Sequence, residues 1–123
     1  MSDTSEAEQF TPVAIETAIR ECSARISNSV RVCDERYRAH QVAQRTYDRA
    51  FAQAFLAATG SVDARKYQTE LKTTDERDAR DVTDASYRYA DRLAKALQDE
   101  LRAWQSVGAS VRMTYQVAGT GVV

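Results

Sequence analysis

Helix-breaking residues are scarce in this chain. Pro12 is the only proline, and Gly60 and Gly108 are the only glycines before Gly119. Because proline and glycine interrupt helices, their absence predicts two long helices, at about residues 12–58 and 62–117. The first helix would be about 70 Å long and the second longer. The sequence therefore predicts an all-α fold whose helices either break internally or extend side by side.

Histidine and cysteine are also rare, so the chain has few candidate catalytic side chains. The chain has one histidine, His40, and two cysteines, Cys22 and Cys33. On one helix the cysteines would lie about 16 Å apart, too far for a disulfide, so we expect buried thiols in a reducing compartment. The three side chains are also too far apart to share a metal ion. His40 lies on the apolar stripe and is interpreted as a core or interface residue, and we expect no enzyme activity, metal or cofactor.

Neither sign of charge dominates the chain. Its 17 basic and 18 acidic residues nearly cancel, so no global field draws it onto nucleic acid or a membrane. No N-terminal apolar stretch resembles a signal peptide, and no apolar run approaches transmembrane length. We therefore expect a cytoplasmic protein without a membrane partner, in which any nucleic-acid site is a local basic patch.

The organisation predicted along the chain is a hairpin between two short ends. Residues 1–11 are polar and acidic and read as a flexible arm, 12–117 as the helical hairpin domain, and 118–123 as a flexible tail. Thr11 suits an N-cap before Pro12, Gly60 suits a left-handed C-cap, and Ser61 can cap the next helix. A tight turn at Thr59-Gly60-Ser61 predicts antiparallel packing of the two arms.

Two positions are candidate kinks within the arms. In the first arm the apolar rhythm takes an extra four-residue step at Ser27-Asn28-Ser29, which predicts a break there. In the second arm Thr73 and Glu76 have capping-box spacing, so a new helix could start near 73–76. We prefer one continuous second helix with a solvent-exposed charged middle.

Basic residues gather on both sides of the predicted turn. Such groups could hold phosphates while a neighbouring aromatic ring stacks on an unpaired base. The alternative is a surface of ion pairs that includes Asp48 and Asp63. The basic cluster, as we call it, comprises Arg45, Arg49, Arg65, Lys66, Tyr67 and Lys72.

A bare hairpin leaves much of its apolar stripe uncovered, and this predicts self-association. Exposed stripes on long helices usually bind partner helices. The residues expected at the oligomer interface are Phe51, Phe55, Leu93, Leu97, Leu101, Trp104 and Val107.

The second half of the chain resembles a known family. Residues 47–62 read YDRAFAQAFLAATGSV, 71–73 read LKT, and 101–108 read LRAWQSVG. In this order they resemble UvsY-like recombination mediators of bacteriophages, in which an aromatic-rich helix ends in a glycine turn before a long helix. The family's basic residues just before the turn have no match here, because this chain has Ala52, Gln53 and Ala54 there.

The resemblance implies a non-enzymatic homo-oligomer that binds single-stranded DNA in the host-cell cytoplasm. It would help a RecA-like recombinase displace single-strand-binding protein, which makes these two proteins candidate partners. The alternative function is a structural or protein-interaction module of a phage, such as an assembly component or a host-protein inhibitor, without nucleic-acid binding.

Overall fold

The chain is all-helical, as predicted. The computed structural model describes residues 11–121, which form three α-helices. Of the predicted flexible ends, residues 1–10 and 122–123 lie outside the described residues. The helices are α1 (Pro12–Ala57), α2 (Val62–Lys72) and α3 (Thr74–Gly121).

Helix α1 begins as predicted but is not interrupted where a break was expected. The Thr11 hydroxyl accepts a hydrogen bond from Ala14 N at 3.3 Å, as an N-cap does. The helix then runs 46 residues without a gap, through Ser27-Asn28-Ser29. Ser29 Oγ donates to Ile26 O within the same helix at 2.6 Å. This local bond keeps the serine hydroxyl satisfied inside the helix, so the helix continues without a break, and a kink at this position stays a prediction.

The turn between α1 and α2 has the predicted chemistry. Gly60 has φ +106°, a conformation that favours glycine. Ser61 is the N-cap of α2, and its side chain accepts from Ala64 N at 3.2 Å. Gln68 Nε2 donates to Thr59 O at 2.8 Å, which ties the first turns of α2 to the loop.

The second arm is divided at Thr73, so the preferred prediction of one continuous helix was wrong. Thr73 has φ −108° and ψ 18°, and α3 begins at the next residue. Its hydroxyl donates to Thr69 O at 2.7 Å, and within residues 11–121 no hydrogen bond of the capping box suggested by Glu76 is formed. Both Thr69 and Thr73 are fully buried, at 0% and 1% exposure. Helix α3 continues through Gly121, past the predicted end at 117, and the flexibility of residues 118–123 stays a prediction.

The chain divides into two compact units. The terminal unit comprises the described residues up to Val30 together with those from Leu93. Its core is apolar, with Ile15, Cys22 and Leu97 almost completely buried. Cys22 contacts Leu97, and Ile15 lies against Gly108. Within this unit α1 and α3 therefore run in opposite directions.

The turn unit, Arg31–Arg92, has a polar seam between α1 and α3. Arg36 donates to Ser86 O at 3.2 Å, and His40 Nδ1 lies 3.3 Å from Thr83 Oγ1. The guanidinium of Arg80 stacks over Tyr47. Helices α1 and α3 again run in opposite directions, but here polar and aromatic groups take the place of an aliphatic core.

Candidate nucleic-acid interface

All six members of the basic cluster lie in the turn unit and are exposed to solvent. Arg45 and Arg49 lie one helical turn apart on α1, so their side chains leave the same face. The other four members lie on α2, whose first turn is fixed to the loop by the Gln68 hydrogen bond. Local helix and turn chemistry thus holds both halves of the basic cluster.

The basic side chains of this cluster have no protein partner. Among residues 11–121, neither an ion pair nor a side-chain hydrogen bond engages Arg45, Arg49, Arg65, Lys66 or Lys72. Every other arginine in the described chain contacts a carboxylate or a backbone carbonyl. These paired arginines are Arg20, Arg25, Arg31, Arg36, Arg38, Arg77, Arg80, Arg88, Arg92, Arg102 and Arg112.

The ion-paired surface considered as the alternative does not form around these residues. Asp48 Oδ1 accepts a hydrogen bond from Gln44 Nε2 at 2.9 Å and pairs with no described arginine. Asp63 lies in the first turn of α2, where the helix dipole favours an acid, and it too has no ion pair within residues 11–121. The guanidinium and ammonium groups beside them therefore keep their full capacity for an external anion.

The structure does not join the two halves of the basic cluster directly. No hydrogen bond or ring contact in the described chain links Arg45 or Arg49 of α1 to the cluster residues of α2. Tyr67, 64% exposed, makes no ring contact with another described residue. The ring is thus available for stacking, and a flexible chain of negative charges could bridge the basic side chains on the two helices.

His40 was predicted to be a core or interface residue, and it is half-buried in the seam. With Tyr37, Gln41, Gln44 and Arg45, it lines a shallow groove of about 360 Å³ beside the basic cluster. The sequence did not predict this groove, because no residue motif marks it and its shape depends on the packing of α1.

The residues predicted at an oligomer interface differ in exposure. Leu97 is 4% exposed and is already covered within the chain, while Leu93 is 43% exposed. Phe51, Phe55, Leu101, Trp104 and Val107 are half-buried. The large apolar residues that are most exposed are not among those predicted, and include Leu56, Leu71, Val13, Val62, Val82, Val117 and Met113.

The described residues form neither a metal-binding cluster nor a membrane-spanning helix. Within residues 11–121, no group of three or more histidine, cysteine, aspartate or glutamate side chains could hold a metal ion. In the same range no helix is long and apolar enough to cross a membrane.

Comparisons with protein-family models, with curated proteins and with solved structures find no match to this chain.

Proposed function

We propose that this protein is a non-enzymatic accessory that binds single-stranded DNA through the basic cluster and aids the loading of a recombinase. In this proposal the chain folds as a helical hairpin and assembles into a homo-oligomer. The observation that carries the DNA-binding part is the unpaired state of Arg45, Arg49 and Arg65, which sets them apart from every other described arginine.

The existing contacts of an arginine determine how readily it binds a phosphate. An arginine already paired with a carboxylate must give up that contact before it can bind a phosphate. Arg45, Arg49 and Arg65 have no such contact to give up, and Arg65 lies on the same helix as the exposed aromatic ring of Tyr67. With a net charge of −1, the whole chain does not attract DNA. Binding therefore depends on this local arrangement.

Fluorescence anisotropy with a labelled single-stranded oligonucleotide tests the proposal. We expect affinity that falls steeply with salt, because each neutralised phosphate contributes about 0.7 to the slope of log K against log salt. Arg65→Gln/Lys66→Gln should reduce that slope by about 1.4 and weaken binding at least about 10-fold. Lack of binding at low salt by the folded protein would overturn the proposal.

The matched control is Arg20→Gln/Arg102→Gln. These arginines are equally charged and exposed, but each pairs with a carboxylate on its own helix. We expect this variant to bind DNA as the wild type does. An equal loss of affinity in both variants would show non-specific attraction, and the assignment to the basic cluster would fail.

The recombinase-loading part rests on the resemblance to UvsY-like mediators, as do the bacteriophage origin and the location in the host-cell cytoplasm. It predicts that the protein speeds assembly of a RecA-like recombinase on DNA coated with single-strand-binding protein, without hydrolysing nucleotide itself. A filament-assembly assay with and without the protein measures this.

A second candidate function is a structural or protein-interaction module of a phage without nucleic-acid affinity. The observation in its favour is the exposure of large aliphatic side chains in the turn unit, with Leu56 at 85% and Leu71 at 80%. Aliphatic groups contribute little to phosphate binding but much to protein interfaces. The anisotropy experiment separates the two functions, because only the first predicts salt-dependent binding of single-stranded DNA.

A further inference from the structure

One exposed face of α1 combines unpaired arginines with apolar residues. Positions 42, 45, 49 and 56 are spaced by three, four and seven residues, so they lie on one side of the helix. Val42 is 54% exposed and Leu56 85% exposed. We call Val42, Arg45, Arg49 and Leu56 the arginine face.

Helix α3 carries a face of opposite charge with the same spacing. Asp75, Asp78, Val82 and Tyr89 are all exposed, and we call them the aspartate face. Val82 is 68% exposed and Tyr89 61% exposed. Among the described residues, Asp75 and Asp78 have no ion pair. By contrast, the carboxylates of Asp81 and Asp84 pair with neighbouring arginines on the same helix.

We propose that the arginine face of one copy docks on the aspartate face of a second copy, with the two helices antiparallel. From Val42, Arg45 and Arg49 lie about 4.5 and 10.5 Å along the helix. From Val82 in the opposite direction, Asp78 and Asp75 lie about 6 and 10.5 Å away. The docked helices therefore place Val42 against Val82, while each arginine reaches one aspartate.

Complementary charge identifies the occupant as a second copy of this chain. The chain carries unpaired charges of both signs on exposed helix faces with the same residue spacing. Each face also has apolar side chains, which a bound phosphate chain would not cover. A protein helix satisfies both features at once, since opposite charges steer the approach and fix the register while Val42 and Val82 are buried against each other.

The two faces differ, so the contact forms either twice about a two-fold axis or once per neighbour in a closed ring or open array. This inference rests on the self-association part of the proposed function and names the surfaces that would carry it. Arg65, Lys66 and Lys72 lie outside both faces. They remain available to single-stranded DNA when Arg45 and Arg49 are engaged by a neighbour.

Charge reversal tests the docking. Light scattering on the full-length chain should show several subunits for the wild type. The molar mass should fall to that of a monomer for Arg45→Asp/Arg49→Asp and for Asp75→Arg/Asp78→Arg. In each variant the two docking faces carry charges of the same sign and repel each other. Mixing the two variants should restore association, since every contact between unlike variants is complementary. The control Arg20→Asp/Arg102→Asp should leave the mass unchanged.

Two results would overturn the inference: a monomeric wild type, or a mixture of the two variants that fails to reassociate. Circular dichroism checks that the variants stay helical, as expected for substitutions of exposed residues. Parallel DNA anisotropy uses Asp75→Asn/Asp78→Asn, which removes the charge pairing without adding or removing a cation, and so keeps this test separate from the proposed function. A dissociated Asp75→Asn/Asp78→Asn variant that still binds DNA supports both ideas. A correctly assembling wild type that binds no DNA supports only the docking.

Discussion

Gly108 of α3 lies directly against Ile15 of α1. A Cβ atom added to Gly108 would stand 3.3 Å from Ile15 Cγ2, closer than ordinary van der Waals contact. Ile15 is 3% exposed and β-branched, so its side chain has little freedom to move away. The close approach of the two helices in the terminal unit therefore depends on the missing side chain at position 108.

Enlarging this glycine should destabilise the protein. We expect Gly108→Val to lower the free energy of unfolding by about 2 kcal/mol, because the added side chain would crowd Ile15 Cγ2. Gly119→Ala is the matched control, since an added Cβ there meets nothing within 4 Å. The control should be neutral or stabilising by up to about 0.5 kcal/mol. Urea denaturation followed by circular dichroism measures both, and equal effects would contradict the packing argument.

The local features of this fold were readable from the sequence because local chemistry determines them. Gly60 adopts the positive φ expected of a glycine in this turn, and Ser61 caps the helix that follows. Neither feature requires knowledge of a distant contact. The helix ends near the turn followed from the same chemistry.

Features that depend on packing were not readable in the same way. The division at Thr73 accompanies burial of Thr69 and Thr73, whose hydroxyls bond back to the preceding turn. Periodicity also could not tell that Leu97 would be covered within the chain while Leu56 stayed exposed. For the basic cluster, the residues and their exposure were predictable, but the lack of ion pairs depends on side-chain geometry.

The two cysteines should differ in reactivity. Cys22 is 2% exposed and its Sγ donates to Leu97 O at 3.3 Å, whereas Cys33 is half-buried. A thiol reagent should therefore modify Cys33 in the native protein and Cys22 only after unfolding. The measurement is a thiol titration with and without denaturant. Cys33→Ser should abolish the native-state reaction, and two fast-reacting thiols in the native wild type would contradict this prediction.

The contact between His40 and Thr83 should stabilise the turn unit. The Thr83 hydroxyl lies 3.0 Å from Ala79 O and 2.9 Å from Arg80 O, so its single hydrogen is donated within α3. The Nδ1–H tautomer of His40 would then donate across the 3.3 Å to Thr83 Oγ1. A double-mutant cycle with His40→Ala and Thr83→Val should give a coupling energy of about 1 kcal/mol.

The control for this cycle replaces Thr83 with another threonine. Thr46 Oγ1 donates to Val42 O at 2.9 Å within α1 and is exposed. A cycle with His40→Ala and Thr46→Val should therefore give no coupling beyond the error of urea denaturation. Equal coupling in both cycles would show that His40 acts through helix stability in general.

The stacking of Arg80 on Tyr47 should depend on the aromatic ring and not on the phenol hydroxyl. The guanidinium carbon lies 4.4 Å from the ring centroid, and the Arg80 side chain is only 28% exposed, so the attraction is partly shielded from water. Tyr47→Phe keeps the ring and should leave stability unchanged. Tyr47→Leu removes it, and with Arg80→Met should show a coupling energy of about 1 kcal/mol.

The cycle is needed because Tyr47→Leu also removes a ring contact with Phe51, whose centroid lies 6.0 Å away. Asp81→Asn tests whether the exposed ion pair beside the stack contributes instead. An exposed pair contributes little, so this variant should shift the free energy of unfolding by less than about 1 kcal/mol. If Tyr47→Phe were as destabilising as Tyr47→Leu, the hydroxyl would be the important group. The polar seam would then be held by hydrogen bonds and not by stacking of a cation on a ring.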